Sequence, residues 1–219
     1  MNEGDVVLLD YIGRIKDTGV AFDITNEEVA KKEKVYDPRV KYAPVPVIVG
    51  AGFVLKALDN VLKEMKVGEK RVVELTPENA FGERKEELIK LIPVSFFKDS
   101  KPAVGSYVSV DNFKGRVMSI NGGRVKVDFN HPLAGKNLEY EIEVINQVTE
   151  MQEKVKCVIN YFTGLNNNSI ETKLTDGTVE VKLKNHLDLQ KNLKEAVVET
   201  IFKWIEGIKE IVFVDVYNK

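Results

Sequence analysis

The chain has 219 residues, 43% of them hydrophobic and 30% charged, a composition typical of a globular protein with one or two domains and room for a small third. Its 32 basic and 34 acidic residues nearly cancel and no apolar run has the length of a membrane span, so neither a broad nucleic-acid surface nor a membrane protein is expected. The only cysteine, Cys157, excludes an intrachain disulfide, and the acidic N-terminus lacks the apolar core of a signal peptide, so a cytoplasmic protein is expected.

The first predicted element is a β-hairpin. Residues 6–16 and residues 20–24 have strand character, and the segment Asp17-Thr18-Gly19 between them is a typical turn. Such a turn brings Tyr11 within reach of Phe22 on the partner strand.

A charged stretch without a period, residues 25–42, separates the hairpin from the next strand. It predicts an elaborated surface loop or a short helix. Pro44 and Pro46 then restrict the chain to extended geometry as it enters that strand.

The first domain is organised around residues 45–82, which contain a strand, a glycine turn, a short helix and a second strand. After the turn at Gly50 and Gly52, apolar residues recur at helical spacing and predict one apolar helix face, with the helix ending at Gly68. Residues 71–75 then alternate as a half-buried strand. The apolar positions of the helix are Val54, Leu55, Leu58, Val61, Leu62 and Met65.

A nucleotide site is one interpretation of this stretch. A strand, two glycines at Gly50 and Gly52, a helix and a second strand carrying Glu74 imitate a dinucleotide-binding fingerprint. The third small residue of that fingerprint would fall on Leu55, and no repeated βα units follow. The interpretation is therefore disfavoured, and no cofactor is expected.

A small β-rich unit is predicted after Gly82. An apolar run at residues 91–97 leads into it, and the turn Asn121-Gly122-Gly123 is a strong hairpin signal. Residues 138–144 alternate cleanly and should close the sheet of the first domain. The strands predicted inside the unit cover residues 106–110, 115–120 and 124–129.

After residue 150 the pattern restarts as a compact α+β domain in which no catalytic constellation is evident. Residues 155–162 are predicted as a strand, and residues 170–174 and 179–183 as a hairpin. A helix follows, with His186 as a neighbour of its cap, and residues 211–217 form a last strand. The apolar face of that helix consists of Leu189, Leu193, Ala196, Val197, Thr200, Ile201, Trp204, Ile205 and Ile208.

The order of these elements, together with several separated motifs, resembles FKBP-type peptidyl-prolyl cis/trans isomerases. The run NHPLAG at residues 130–135, with residues 138–144, is similar to the SlyD-like branch, in which a chaperone domain is inserted in the flap. The resemblance ends near residue 150. The earlier motifs that carry it are Tyr11-x-Gly13, Gly19, Phe22-Asp23, residues 50–58, residues 66–69 and Asn79-Ala80-Phe81-Gly82.

The resemblance implies an α+β fold in which an antiparallel half-barrel wraps around a short helix. Residues 1–84 and 130–150 would form this isomerase domain, residues 85–129 the inserted β-rich chaperone domain, and residues 151–219 a C-terminal α+β domain. The helix of the C-terminal domain carries Trp204 beside Phe202. A homodimer through that domain is therefore a hypothesis.

Rotation about a prolyl bond needs no nucleophile and no proton relay. The barrier of ~18–20 kcal/mol comes from partial double-bond character, and an apolar pocket that excludes water favours the twisted, less charge-separated transition state. The resemblance implies that Asp23 polarises the amide, that Tyr11 orients Asp23, and that the backbone N–H of Leu55 holds a substrate carbonyl. The other wall residues that it implies are Phe22, Val45, Val54, Leu58, Phe81 and Tyr140. His131 and Leu133 of the NHPLAG run are further candidates for substrate binding near the rim, although the default role of His131 is that of a loop residue making a local hydrogen bond.

Three positions depart from the family pattern. Leu58 stands where the family often has Trp, and Val45 stands near an expected aromatic residue. Phe81 replaces a Tyr whose hydroxyl would bond the substrate, a loss worth about 0.5–1.5 kcal/mol for one neutral hydrogen bond. Lower activity, rather than none, is expected.

The sequence therefore predicts a peptidyl-prolyl isomerase and folding chaperone that acts on unfolded or partly folded polypeptides without a cofactor or a metal. A small β unit cannot hide every large apolar side chain, so the insert is expected to expose a client-binding patch. The alternative function is a holdase chaperone that grips proline but barely turns it over. The candidate residues of the patch are Phe96, Phe97, Tyr107 and Met118.

Overall fold

The computed structural model describes residues 1–97, 101–184 and 189–214, and its mixed α+β architecture confirms the predicted fold class. The chain divides into two compact units, Met1–Glu74 with Leu138–Lys219, and Leu75–Asn137. The elements of the first unit are β1 (Val6–Ile15), β2 (Ala21–Ile24), α1 (Glu27–Lys32), β3 (Val45–Ile48), α2 (Lys56–Leu62), β4 (Lys70–Leu75), β9 (Leu138–Val148), α3 (Met151–Thr163), β10 (Ile170–Thr175), β11 (Thr178–Leu183), α4 (Lys191–Trp204) and β12 (Glu210–Val214).

Strand β1 organises the main sheet of the first unit, whose order is β2-β1-β9-β4 with β3 also paired to β1. One edge of β1 pairs with β3 at its start and with β2 at its end, and the other edge pairs with β9 along its whole length, all antiparallel. The predicted strand at residues 138–144 is thus an inner strand of this sheet.

Helix α2 is shorter than the sequence predicts. It ends at Leu62, and the hydrogen bonds Glu64 N–H to Val61 O and Met65 N–H to Leu62 O then follow an i to i−3 pattern. The tighter turns still carry Met65 into the core, where it is buried beside the buried Leu58 and Leu62 of the helix. The apolar spacing therefore continues past the end of the helix.

The prediction of a strand at residues 155–162 is wrong, because this segment is the middle of α3. Val155, Val158 and Ile159 are buried and follow the spacing of one helix face. The helix ends at Gly164, which has φ +68° and donates to the Asn160 carbonyl at 2.7 Å. Because the segment is rich in β-branched residues, propensity favours a strand, but packing decides for a helix.

Residues 151–184 and 189–214 pack on the main sheet of the same unit. The hairpin β10–β11 forms across Asp176-Gly177, and β12 adds to β11 in parallel. Their core is continuous with the N-terminal half, since Val6 and Ile48 belong to the same buried cluster as Val155 and Ile201. The predicted residues 215–217 of the last strand and His186 lie outside the described residues.

The second unit contains the predicted small β sheet, with strands β5 (Ile89–Pro93), β6 (Tyr107–Val110), β7 (Phe113–Asn121) and β8 (Arg124–Asp128) in the order β5-β8-β7-β6. Gly122 and Gly123, both at positive φ, make the two-residue turn between β7 and β8. Among the described residues, none of the helices has the length and apolar character needed to cross a bilayer.

Candidate functional site

The site in the first unit is built across three neighbouring strands. Gly13 on β1 lies opposite Asp23 of β2 on one side and opposite Tyr140 of β9 on the other. Tyr11 is two residues before Gly13, and side chains two apart on a strand point to the same face. Strand pairing alone therefore brings three of the predicted site residues together around a position that has no side chain.

Aromatic rings fill the space that Gly13 leaves. The Tyr140 ring meets the Phe22 ring edge to face, with centroids 5.7 Å apart and an angle of 85°, and it meets the Tyr11 ring at 5.9 Å and 61°. A Cβ atom on Gly13 would lie 2.8 Å from Tyr140 Cε1 and 2.9 Å from Phe22 Cζ. Glycine is thus required for the close approach of these rings.

Asp23 is held at the edge of this aromatic cluster. Its carboxylate accepts a hydrogen bond from the Tyr11 hydroxyl, which lowers the pKa of Asp23, but burial raises that pKa more, and the net shift is upward. Burial and the neighbouring Asp23 charge raise the pKa of Tyr11, and burial raises that of Tyr140, so both phenols stay protonated at neutral pH. The site therefore has one half-buried negative charge among neutral rings.

Thr25 fixes the hairpin that carries Asp23. Its hydroxyl accepts from the Tyr11 backbone N–H at 2.8 Å and donates to Asp10 Oδ1 at 2.9 Å, and its N–H donates to the Tyr11 carbonyl at 3.1 Å. Thr25 is one of the few buried polar side chains. The end of β2 is thereby locked onto β1, which sets the position of Asp23 relative to Tyr11.

The loop before α2 carries the predicted substrate-binding amide. Leu55 is the residue before the first helical turn, and its carbonyl accepts from Asp59 N–H at 3.0 Å. Within the described part of the chain, no acceptor bonds the Leu55 N–H, which leaves it available for a ligand. Val45 and Val54 are half-buried and Leu58 is buried.

Asp59 of α2 holds the start of this loop, a role that the sequence did not predict. It is only 6% exposed, and its carboxylate accepts from Gly50 N–H at 2.8 Å and from Gly52 N–H at 3.2 Å. Both glycines have positive φ, so the turn they form presents its N–H groups inward. In the sequence, the signal for this role of Asp59 is the position of an acidic residue directly after the apolar Leu58.

The second unit brings together another pair of predicted residues. The Phe81 ring stacks on the His131 ring with centroids 4.4 Å apart and an angle of 5°. Leu133 N–H donates to His131 Nδ1 at 3.2 Å, which is the local loop hydrogen bond that a histidine in this position is expected to make. The loop of Phe81 and the loop of His131 and Leu133 thus contact each other within the second unit.

The insert exposes three of its four predicted patch residues. Phe96 is 52% exposed, Tyr107 and Met118 are also exposed, and Phe113 and Leu91, which were not predicted, are exposed as well. The prediction that Phe97 is exposed is wrong, because Phe97 is buried in the core of the insert with Val117, Val125 and Val127. Successive side chains point in different directions, and this small core takes only one of the two phenylalanines.

One open hollow of about 910 Å³ lies within the second unit. Tyr107 of the insert and His131 of the loop at residues 130–135 both line it, together with the basic side chains Lys114 and Arg116. Among the predicted substrate-binding residues, these two are therefore linked by a continuous surface.

Comparisons with known proteins identify the family. Over 146 residues, 66% of this chain and 92% of the relative, the sequence is 36% identical to the short-type peptidyl-prolyl cis-trans isomerase of Methanocaldococcus jannaschii. It is 35% identical over 109 residues to a probable FKBP-type 16 kDa peptidyl-prolyl cis-trans isomerase of Pseudomonas fluorescens, covering 48% of this chain and 73% of the relative. The chain belongs to the FKBP-type peptidyl-prolyl cis-trans isomerase family.

The branch within that family follows from further matches. The sequence is 29% identical over 131 residues to the FKBP-type isomerase SlyD of Vibrio cholerae, covering 58% of this chain and 63% of the relative. Residues 90–133 match the family described as FKBP26, IF domain, and residues 151–218 match the family described as FKBP26, C-terminal. The chain is thus a SlyD- and FKBP26-like member with both additions to the FKBP domain.

Substituting Gly13 by alanine should damage the site more than the fold. The added methyl group would force the rings of Tyr140 and Phe22 to move, and overpacking of this kind costs about 1–3 kcal/mol of unfolding free energy. Gly19→Ala is the matched control, because Gly19 has φ +68° but open space around it, so it loses stability through backbone strain alone. Thermal unfolding measures the loss of stability in both variants. Tetrapeptide turnover should show a raised KM for Gly13→Ala only. Equal KM values in the two variants would contradict the role of Gly13.

Proposed function

We propose that this chain catalyses cis/trans isomerisation of X-Pro bonds in unfolded or partly folded polypeptides. The observation that carries the proposal is the convergence of Tyr11, Phe22, Asp23 and Tyr140 around Gly13. A ring-lined face of this kind suits the compact, apolar proline ring. The family membership of the chain supports the same activity.

The chemistry follows from the polarity of the amide. A planar prolyl amide is charge-separated, and it loses this polarity as the C–N bond twists, so a poorly hydrated pocket lowers the barrier. Phe22, Leu58 and Tyr140 would grip the proline ring, and the free Leu55 N–H would hold a substrate carbonyl.

Asp23 would act on the twisting amide through its charge. In a half-buried site a charge acts more strongly than in water, and the Tyr11 hydroxyl keeps the carboxylate in one orientation. Val45 and Val54 would complete the walls.

The insert would add a chaperone function to the isomerase. Its exposed apolar side chains, with Phe113 at 70% and Leu91 at 61% exposure, form a surface that unfolded segments can cover. A client held by Phe96, Tyr107 and Met118 would stay at high local concentration near the prolyl site.

The chain would then have three parts, as its sequence suggests. Residues 1–84 and 130–150 would form the isomerase domain, residues 85–129 the insert and residues 151–219 the C-terminal domain of a cytoplasmic protein. A homodimer through the C-terminal domain would use the exposed Phe202 of α4. Light scattering of the wild type and of Phe202→Glu tests that part: a dimeric mass for the wild type only is expected.

Tetrapeptide turnover separates this enzyme from a holdase. An X-Pro tetrapeptide should interconvert faster with catalytic amounts of the full chain, and the chain should also suppress aggregation of an unfolded client. Suppression of aggregation without any acceleration of the tetrapeptide would favour the holdase and overturn the proposed enzyme.

A further inference from the structure

An aromatic cluster from the C-terminal segment packs on the loop that carries the Leu55 amide. The ring of Phe53, two residues before Leu55, stacks on the ring of Tyr161 from α3, with centroids 3.9 Å apart and an angle of 24°. Phe162, the next residue of α3, meets both rings edge to face, at 6.2 Å from Phe53 and 5.4 Å from Tyr161. Three rings therefore join this loop to α3.

The Tyr161 hydroxyl adds a directed contact to this stacking. It donates to the backbone carbonyl of Phe53 at 3.0 Å. The start of the same loop is held from the other side, where Asp59 accepts from the N–H groups of Gly50 and Gly52. The segment of six residues from Gly50 to Leu55 is thus fixed at its beginning by α2 and near its end by α3.

Tyr161 also lies close to the ring cluster around Gly13. It is among the groups that raise the pKa of Tyr11, behind burial, Asp23 and Tyr140. Burial raises the pKa of Tyr161 itself, so its hydroxyl remains a hydrogen-bond donor across the neutral range. The ring is about one third exposed, and it therefore lies at the surface of the site and not in the core behind it.

We propose that Tyr161 is a positioning residue of the prolyl site: by binding the Phe53 carbonyl and ring, it holds the Leu55 N–H where a substrate carbonyl is bound. The C-terminal segment is then part of the isomerase site as well as an added domain. This inference rests on the proposed isomerase function. Its expected signature is weaker substrate binding without loss of the ring-lined pocket.

The test compares Tyr161→Phe and Tyr161→Ala with the wild type, all as the full chain. Tyr161→Phe keeps the stacking and loses only the hydrogen bond, so KM for an X-Pro tetrapeptide should rise about twofold to tenfold with kcat nearly unchanged. Tyr161→Ala removes the ring as well and should raise KM further. Tyr42→Phe, which removes another tyrosine hydroxyl bonded to a backbone group, the N–H of Asp37 at 3.0 Å, is the matched control and should leave KM unchanged.

A second measurement separates positioning from a general loss of stability. Hydrogen exchange of the amides of residues 53–55 should accelerate in Tyr161→Phe, while exchange in β1 and β9 stays as in the wild type. Unchanged KM and unchanged exchange in both Tyr161 variants would overturn the inference and leave the isomerase intact. Absence of turnover in the wild type would overturn the proposed function and this inference together.

Discussion

Deleting residues 85–129 should slow the catalysed refolding of a proline-limited protein by about a hundredfold, because the insert raises the local concentration of the client at the prolyl site. Turnover of a tetrapeptide, which has no unfolded segment for the insert to hold, should change little. The ratio of the two rates, measured for the wild type and the deletion variant, isolates the contribution of the insert.

The structure suggests how to make this deletion. The two ends of the insert are tied together, since Lys85 N–H donates to Asn130 Oδ1 at 2.8 Å and Asn130 Nδ2 donates to the Lys85 carbonyl at 2.9 Å. A short glycine turn can therefore join Arg84 to Asn130. Phe96→Ser in the intact chain is the milder variant, and it should lower the refolding rate in the same direction.

Loss of both activities to the same extent would contradict this account. It would mean that the deletion damages the prolyl site itself and that the insert adds nothing specific to the refolding of clients. Phe97→Ser is not a suitable control for the patch, because Phe97 lies in the core of the insert and its loss would unfold that sheet.

Tyr140→Ala should be the most damaging point substitution in the first unit. Tyr140 is only 4% exposed and its ring meets those of Tyr11 and Phe22. Truncating a large buried aromatic residue to alanine costs about 3–5 kcal/mol of unfolding free energy. Because the two remaining rings lose their common partner, tetrapeptide turnover should fall by more than the stability loss alone explains.

Tyr140→Phe is the control for this substitution. It keeps the ring and removes a hydroxyl that, in the described part of the chain, has no hydrogen-bond partner. Denaturant unfolding should place Tyr140→Phe within about 1 kcal/mol of the wild type, with turnover largely retained. An equal loss of turnover in both variants would show that the hydroxyl, and not the ring, is what the site uses.

Local sequence signals located most of the strands. Alternation at residues 138–144, the turn at Gly122 and Gly123, and the turn at Asp176-Gly177 each predict a feature that the structure contains. These signals work because strand period and positive φ are local properties. Helix α3 was missed because Val155, Val158 and Ile159 favour strands locally, whereas the helical spacing and Gly164 were the better signals.

Parts of the site depend on tertiary structure and could not be read from local pattern. The motifs around Tyr11, Gly13 and Asp23 point to the aromatic cluster, but Tyr161 is 108 residues from Phe53 and lies in a segment where the sequence alone indicates no site residue. Its role follows only from how α3 packs on the sheet. The same is true of Phe96 and Phe97, whose different exposure is decided by the small core of the insert.

In the proposed mechanism, a poorly hydrated, ring-lined site with one charge at Asp23 isomerises the prolyl bond without proton transfer. The direct test is kcat/KM for an X-Pro tetrapeptide as a function of pH, in a protease-free assay of the wild type and of Asp23→Asn. The wild-type profile should be flat through neutral pH and fall only in acid, at a pH above the ordinary pKa of aspartate, because burial raises the pKa of Asp23.

Asp23→Asn should give a flat profile throughout, lower than the wild type at neutral pH by about tenfold to a hundredfold, the value of a charged hydrogen-bonding group. Since the raised pKa means that ionised Asp23 costs folding stability at neutral pH, the same variant should unfold at an equal or higher temperature. A bell-shaped wild-type profile centred near neutral pH, or full activity in Asp23→Asn, would contradict the account.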